Sequence, residues 1–389
     1  MAQAVRDPYV ILISIYIFAP WFVRVVVGDP VAGQTLVAQG GKWGGWAVML
    51  TMPLLGAMID RVGPRKPLLA LVIAVMSVIC CSLWWVMPPA TGTGTVTATA
   101  TATATGFALG VQWVVVAGAA MTWLLAAHEM LHNALLLPAA GMAGAARASG
   151  LGLAGGNALS VALLLLVLLA FALPGTVDVP WLPAAPLLGL DPALGEPARI
   201  TGPIVGVLML LGSVPLFRTV PDQPRSPASL GRALTGGASD LVRLFTAARG
   251  NANPLLYLLA RMVFTDGLTA ILLFGGIFAA GVMGWQTLEM LAYGIVLSVA
   301  AVAGGLLAGR LDTAIGPRPA LILELLLLIG VETMVLGSGE TRILYQTVAA
   351  TPVWDGPMFT TAPELVFLAL GCGLAITITS AYASSRTLL

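Results

Sequence analysis

The chain has 389 residues, 58% of them hydrophobic and only 9% charged, with a mean hydropathy of +0.96. So little polar surface could not cover a soluble core of this length, which excludes a soluble domain and leaves a bilayer. A formal charge of +1 with no basic tail excludes an electrostatic nucleic-acid binder.

Crossing a hydrocarbon core of about 30 Å takes roughly 20 apolar residues in a helix. Such runs occur at 9–27, 43–59, 67–86, 110–136, 150–173, 200–217, 254–283, 287–308, 319–336 and 363–382. They predict an all-α polytopic membrane protein with about ten transmembrane helices. The first run is too long for a signal-peptide core and lacks a small-residue cleavage site, so it is expected to remain as a helix. Cys80, Cys81 and Cys372 fall inside these runs, where thiols act as small core residues rather than as a disulfide framework.

Between the runs, 91–105 is a Thr-Gly and Thr-Ala tract that reads as a disordered loop. The Pro-rich stretch 173–199 reads as a loop resting on the membrane surface. With the N-terminus in the cytoplasm, thirteen of the eighteen Lys and Arg residues lie inside. Arg24, Lys42, Arg199 and Arg342 lie outside and Arg261 falls within a helix, a bias that sets this orientation. One long cytoplasmic connection, 218–253, separates six helices (1–217) from four (254–389). In it Leu230, Leu234, Leu241, Leu244 and Phe245 recur at helical spacing beside Arg232, Arg243 and Arg249, the pattern of an amphipathic helix on a membrane surface. Gly231, Gly236 and Gly237 weaken that helix and keep a flexible linker in play.

Two turns echo each other: Gly56 to Pro67, containing Asp60-Arg61-Val62-Gly63-Pro64-Arg65-Lys66, and Gly305 to Pro319, ending Asp312 to Pro319. The first resembles the signature loop between helices two and three of the major facilitator superfamily. Phe18-Ala19-Pro20-Trp21-Phe22, His132-Asn133 through Pro138, Ser149-Gly150-Leu151-Gly152, Asp266-Gly267 with Gly275-Gly276, and Ser384-Ser385-Arg386 narrow the resemblance. Together they are similar to the bacterial relatives of the autophagy-related vacuolar effluxer-like permeases. That resemblance implies a two-half helical bundle in a bacterial inner membrane, exporting a small solute by alternating access, with no cofactor and no enzymatic activity. Asp60, Arg61, Gly63, Arg65 and Lys66 would form its gating loop. The second copy has Thr313 and Ala314 where the signature has Asp and Arg, which weakens a gating role there. The resemblance also places Ser384 to Arg386 between helices ten and eleven, so the chain is expected to end before two further helices and to be unstable or inactive as it stands.

Polar groups within a bilayer are costly and usually face water or a bundle interior. In the superfamily the cavity is lined by helices one, four, seven and ten. Asp266, with Thr265 beside it, lies about 18 Å along its helix, near the midplane. There it could take up a proton, bind a polar substrate group or cap a broken half-helix. Arg261, five residues earlier and about 140° around the helix, is not placed to be its partner. His128, Glu129, His132 and Asn133 form a polar patch on the fourth helix, read as lining a substrate or proton cavity together with Asp266, Thr265 and Arg261 or relaying protons, or else as a helix-packing cluster. His128-Glu129-Met130-Leu131-His132 also matches the HExxH pattern that puts two zinc-binding imidazoles on one helix face with a glutamate base. An intramembrane zinc metalloprotease is therefore the alternative to a carrier, and a non-transporting scaffold a third reading. Glu324 is close enough to a helix end to snorkel, whereas Glu332 has no evident role. The Gly152/Gly156 and Gly305/Gly309 spacings are helix-packing signals.

Overall fold

A computed structural model describes residues 2–88, 109–174, 183, 185–224, 230–248, 252–285, 287–356 and 358–387. The 91–105 tract and much of the 173–199 loop lie outside these residues. The long helices are α1 (Ala4–Val27), α2 (Pro30–Val62), α3 (Lys66–Ser82), α4 (Val111–Ala134), α5 (Leu136–Val167), α6 (Thr201–Thr219), α7 (Leu230–Ala248), α8 (Ala252–Met283), α9 (Thr287–Ile315), α10 (Pro317–Leu336) and α11 (Ala362–Thr387). Nine of them are long and apolar enough to cross a membrane by the described residues. At 1.5 Å per residue the 32-residue α8 also has the length to span. Every predicted apolar run is therefore a helix, and the protein is an all-α polytopic membrane protein.

The ends differ from expectation where glycine misleads. The sequence predicts the second span from Trp43, but α2 begins at Pro30, with Asp29 accepting from the backbone of Val31 (2.8 Å) and Ala32 (3.1 Å). Its first turns, rich in Gly, score poorly on intrinsic propensity. Gly40 and Gly44 sit where a side chain would collide with α4; a Cβ on Gly40 would lie 2.9 Å from the Val115 carbonyl oxygen. Close helix approach fixes what propensity alone would not. In α5, Gly141 (φ 65, ψ 169) breaks the helix, a conformation glycine adopts readily. α1 carries π-helical turns on either side of Phe18–Trp21, where Pro20 removes a backbone donor.

By mutual packing the chain divides into two units: Met1–Ala139 with Ala162–Thr246, and Ala140–Val161 with Ala247–Leu389. In the first, Leu69, Met76 and Cys80 of α3 are fully buried. α6 approaches them through Gly206, where a Cβ would come within 2.8 Å of the Ser77 carbonyl oxygen. In the second, α11 packs on α9. Ser380 Oγ donates to the Gly304 carbonyl (2.8 Å), and Gly305 lies so close to α5 that a Cβ would be 2.8 Å from Ala154 N and 2.9 Å from Gly150 O. Gly305 is thus the packing glycine the spacing suggests, with Gly150 and Ala154 as its partners. α11 starts on a capping box: the Thr361 backbone N–H donates to Glu364 Oε2 (2.9 Å), and Trp285 Nε1 donates to Oε1 (3.1 Å). A two-residue turn at Leu344 and Tyr345, both at positive φ, closes a small hairpin pairing Arg342–Ile343 with Gln346–Thr347.

Glu324 does not snorkel. It is 2% exposed and accepts from Ser384 Oγ at 3.2 Å, because α10 turns this residue toward α11 and presents Ile322, Leu326 and Ile329 outward instead.

Candidate functional site

The loop between α2 and α3 turns at Gly63, whose φ of 96° strains any residue but glycine. Around it the charged side chains stitch five helices of the first unit together. Arg65 Nη2 donates to Asp60 (2.9 Å), and its Nη1 donates to the Ala134 carbonyl at the end of α4 (3.0 Å). Lys66 Nζ donates to the Phe217 carbonyl near the end of α6 (2.9 Å). Basic groups at helix C-termini satisfy carbonyls the helices leave unpaired and complement their dipoles. Arg61 reaches α7 instead, donating to Asp240 at 2.7 Å. That hydrogen bond holds the Asp240 carboxyl below its ordinary range. So exposed a pair adds little stability, but it fixes where α7 docks.

Two features here were not visible in the sequence. The carboxylate at the positive N-terminus of α3 is Asp222, which accepts from the backbone N–H groups of Arg65 (3.0 Å) and Lys66 (3.1 Å). Asp60 pairs with Arg65 instead, and its side chain is 70% exposed. Replacing Asp222 with Ala should therefore cost about 0.5 to 2 kcal/mol, as for a lost helix cap, with Asn recovering part of it. Thermal unfolding of the purified protein in detergent measures both; an unchanged midpoint for the Ala variant would rule out the cap. The second feature is α7, which forms a continuous helix over Leu230–Ala248. Two of its three glycines lie against α2: Gly236 meets Arg61, and a Cβ on Gly237 would sit 3.1 Å from the Ala57–Met58 backbone, whereas Gly231 faces open space. Residues that weaken the helix in isolation allow its packing.

The α4 patch lies toward this same end. His128 is about 9 Å from Ala134 along the helix, and His132 and Asn133 occupy the last turn. His128 is buried beside Arg6, Met76 and Ser213. Its ring stacks on His132 with centroids 5.8 Å apart and planes 9° apart. Glu129 pairs with Arg6 of α1 at 3.5 Å, and Arg6 also holds Asp7 at 3.0 Å. No group of three His, Cys, Asp or Glu residues that could hold a metal is present among the described residues. Nothing in this arrangement supports the zinc protease.

In the second unit, α8 runs unbroken through Asp266 and Gly267, so Asp266 does not cap a half-helix. Its side chain is exposed near the middle of a 32-residue helix. Among the described residues it makes no hydrogen bond or ion pair. Arg261 turns elsewhere, donating to the Ser385 carbonyl at 3.3 Å, and Thr265 is half-buried. The structure thus gathers Asp60, Arg61, Gly63, Arg65 and Lys66 in one loop, with the α4 patch near it, and places Asp266 in the other unit.

The sequence matches the family described as vacuole effluxer Atg22 like over residues 46–336, about three quarters of the chain. The chain belongs to that family. A comparison with curated proteins returned no match. The matched span of this Atg22-like effluxer takes in the Asp60–Lys66 loop, the α4 patch and Asp266. It leaves out α1 and α11, where Phe18 to Phe22 and Ser384 to Arg386 lie. Membership in this family makes the protein a membrane transporter of the effluxer type, consistent with a non-enzymatic role.

Proposed function

We propose that the protein exports a small solute, an amino acid by analogy, across a bacterial inner membrane by alternating access between its halves at 1–217 and 254–389. The observation that carries this reading is Asp266, an exposed carboxylate without a partner among the described residues, midway along an unbroken helix of a family effluxer. A charge left against lipid at that depth is costly. A site that opens to water, substrate or protons gives it a physical reason to be there. The distribution of basic residues supports a cytoplasmic N-terminus, which would set the Asp60–Lys66 loop on the cytoplasmic side, where its role as a gate rests on the resemblance. The test is counterflow of labelled amino acids and small metabolites into proteoliposomes containing the purified chain. Accumulation of at least one solute against empty-liposome controls supports export, and none across the panel counts against it.

The gate makes a kinetic prediction. Asp60 holds Arg65, which in turn holds the end of α4, at a helix end remote from Asp266 along the chain. Asp60→Asn should slow counterflow several-fold while equilibrium substrate binding stays unchanged. Weaker binding at an unchanged rate would remove the loop from the gating role.

A further inference from the structure

A second polar feature lies away from the loop and from Asp266. At the end of α5 that follows the Gly141 break, and near the last turn of α9, a cleft of about 470 Å³ opens within the second unit. Two guanidiniums, Arg147 from α5 and Arg310 from α9, line it together with Thr313, Leu151 and Leu306. Among the described residues neither arginine makes an ion pair or a hydrogen bond. Asp312 is buried and does not line the cleft. Thr313 donates its hydroxyl to its own helix, to the Gly309 carbonyl at 2.6 Å, so the donors available to a ligand are those of the two arginines.

We propose that this cleft binds the phosphate headgroup of an anionic phospholipid. Arg147 is the first residue of the apolar span Arg147–Phe171, and Arg310 lies five residues before the end of the span Ala292–Ile315. The two helices meet where Gly150 faces Gly305 and Gly309. Both cations therefore lie near the same ends of their two spans, Arg147 at the edge and Arg310 about 7.5 Å inside it. Leu151 is 52% exposed and Leu306 42% exposed. A ligand must accordingly offer an anion to the arginines and acyl chain to the leucines. A phospholipid does both, whereas free phosphate satisfies only the arginines. Guanidiniums suit phosphate because their planar donors engage two oxygens at once, and basic pockets between membrane helices are sites for anionic headgroups.

The test uses the full chain, delipidated in detergent and titrated with phosphatidylglycerol or phosphatidylcholine, with bound lipid read by native mass spectrometry. Phosphatidylglycerol should bind preferentially. Each guanidinium is worth about fivefold near an anionic surface, so Arg147→Gln with Arg310→Gln should weaken that lipid about 25-fold and phosphatidylcholine less, because its choline cation offsets the same phosphate. Arg318→Gln, outside the cleft, should retain the wild-type preference. If the double Gln variant fails to fold, the single variants and Arg147→Lys with Arg310→Lys are read instead: each single Gln change should weaken binding, and the Lys pair, which keeps charge but not the planar fork, should fall between the wild type and the Gln variants. Equal binding of the two lipids, an unchanged preference in the Gln variants, or displacement of phosphatidylglycerol by millimolar inorganic phosphate would overturn the proposal.

Discussion

Arg199→Met should destabilise the protein by about 2 to 5 kcal/mol, the largest stability loss expected from any single change considered. Arg199 is 1% exposed on a short helix, Glu196–Arg199, just before α6. Its Nε donates to the Trp84 carbonyl at 2.8 Å, Nη2 donates to the same oxygen, and Nη1 donates to the Leu194 carbonyl at 3.3 Å. The guanidinium also lies 4.9 Å over the Trp84 ring. Trp84 belongs to the 3₁₀ turn Leu83–Trp85 that ends α3, where carbonyls lack helical partners. Met keeps most of the volume and removes every donor. The loss then combines the Trp84 carbonyl left without its donors, about 1 to 3 kcal/mol, with a cation–π contact of about 0.5 to 2 kcal/mol. Thermal unfolding in detergent reads the change, and Arg199→Lys, which keeps charge but not the planar fork, should fall between. A shift under about 1 °C, below one kcal/mol for a chain this size, would show that Arg199 is not the lock between these elements.

Asp266→Asn should abolish solute flux driven by a pH gradient while leaving the fold intact. The substitution is nearly isosteric and touches no hydrogen bond or ion pair among the described residues, so unfolding is not expected to confound the result. What it removes is a group able to exchange a proton within the span. Proteoliposomes with an imposed pH gradient, beside counterflow at equal pH on both sides, separate the two roles open to a carboxylate. Loss of gradient-driven flux with counterflow retained assigns proton coupling, and loss of both assigns substrate binding. Normal transport in both assays would leave Asp266 without a part in the cycle.

Residues that stand out by local pattern were legible in the sequence as candidates. Gly63, Arg65 and Lys66 stand at a short turn between two apolar runs, and the turn, its basic character and its glycine all survive in the structure. Asp266 was legible because a carboxylate deep in an apolar run is rare enough to mark itself. The HExxH pattern was legible too, but a spacing on one helix does not show what surrounds it: Arg6, more than 120 residues away in the chain, engages Glu129. The early start of α2 was missed because glycine is penalised as a helix former before its packing partner is known.

By itself the sequence determined that the chain spans a membrane, that it does so through many apolar helices, and which turns are basic. Those properties follow from the cost of burying polar groups in hydrocarbon, which is summed residue by residue along the chain. Only the tertiary structure decided that Asp222 caps α3, that Asp240 receives Arg61, that Arg199 closes the end of α3, and that Arg147 and Arg310 share one cleft. Each of these joins residues far apart in sequence through hydrogen bonds or a shared boundary. Periodicity and composition carry no record of such partners, because the energy of a hydrogen bond or an ion pair belongs to the pair and exists only once packing has brought its two halves together.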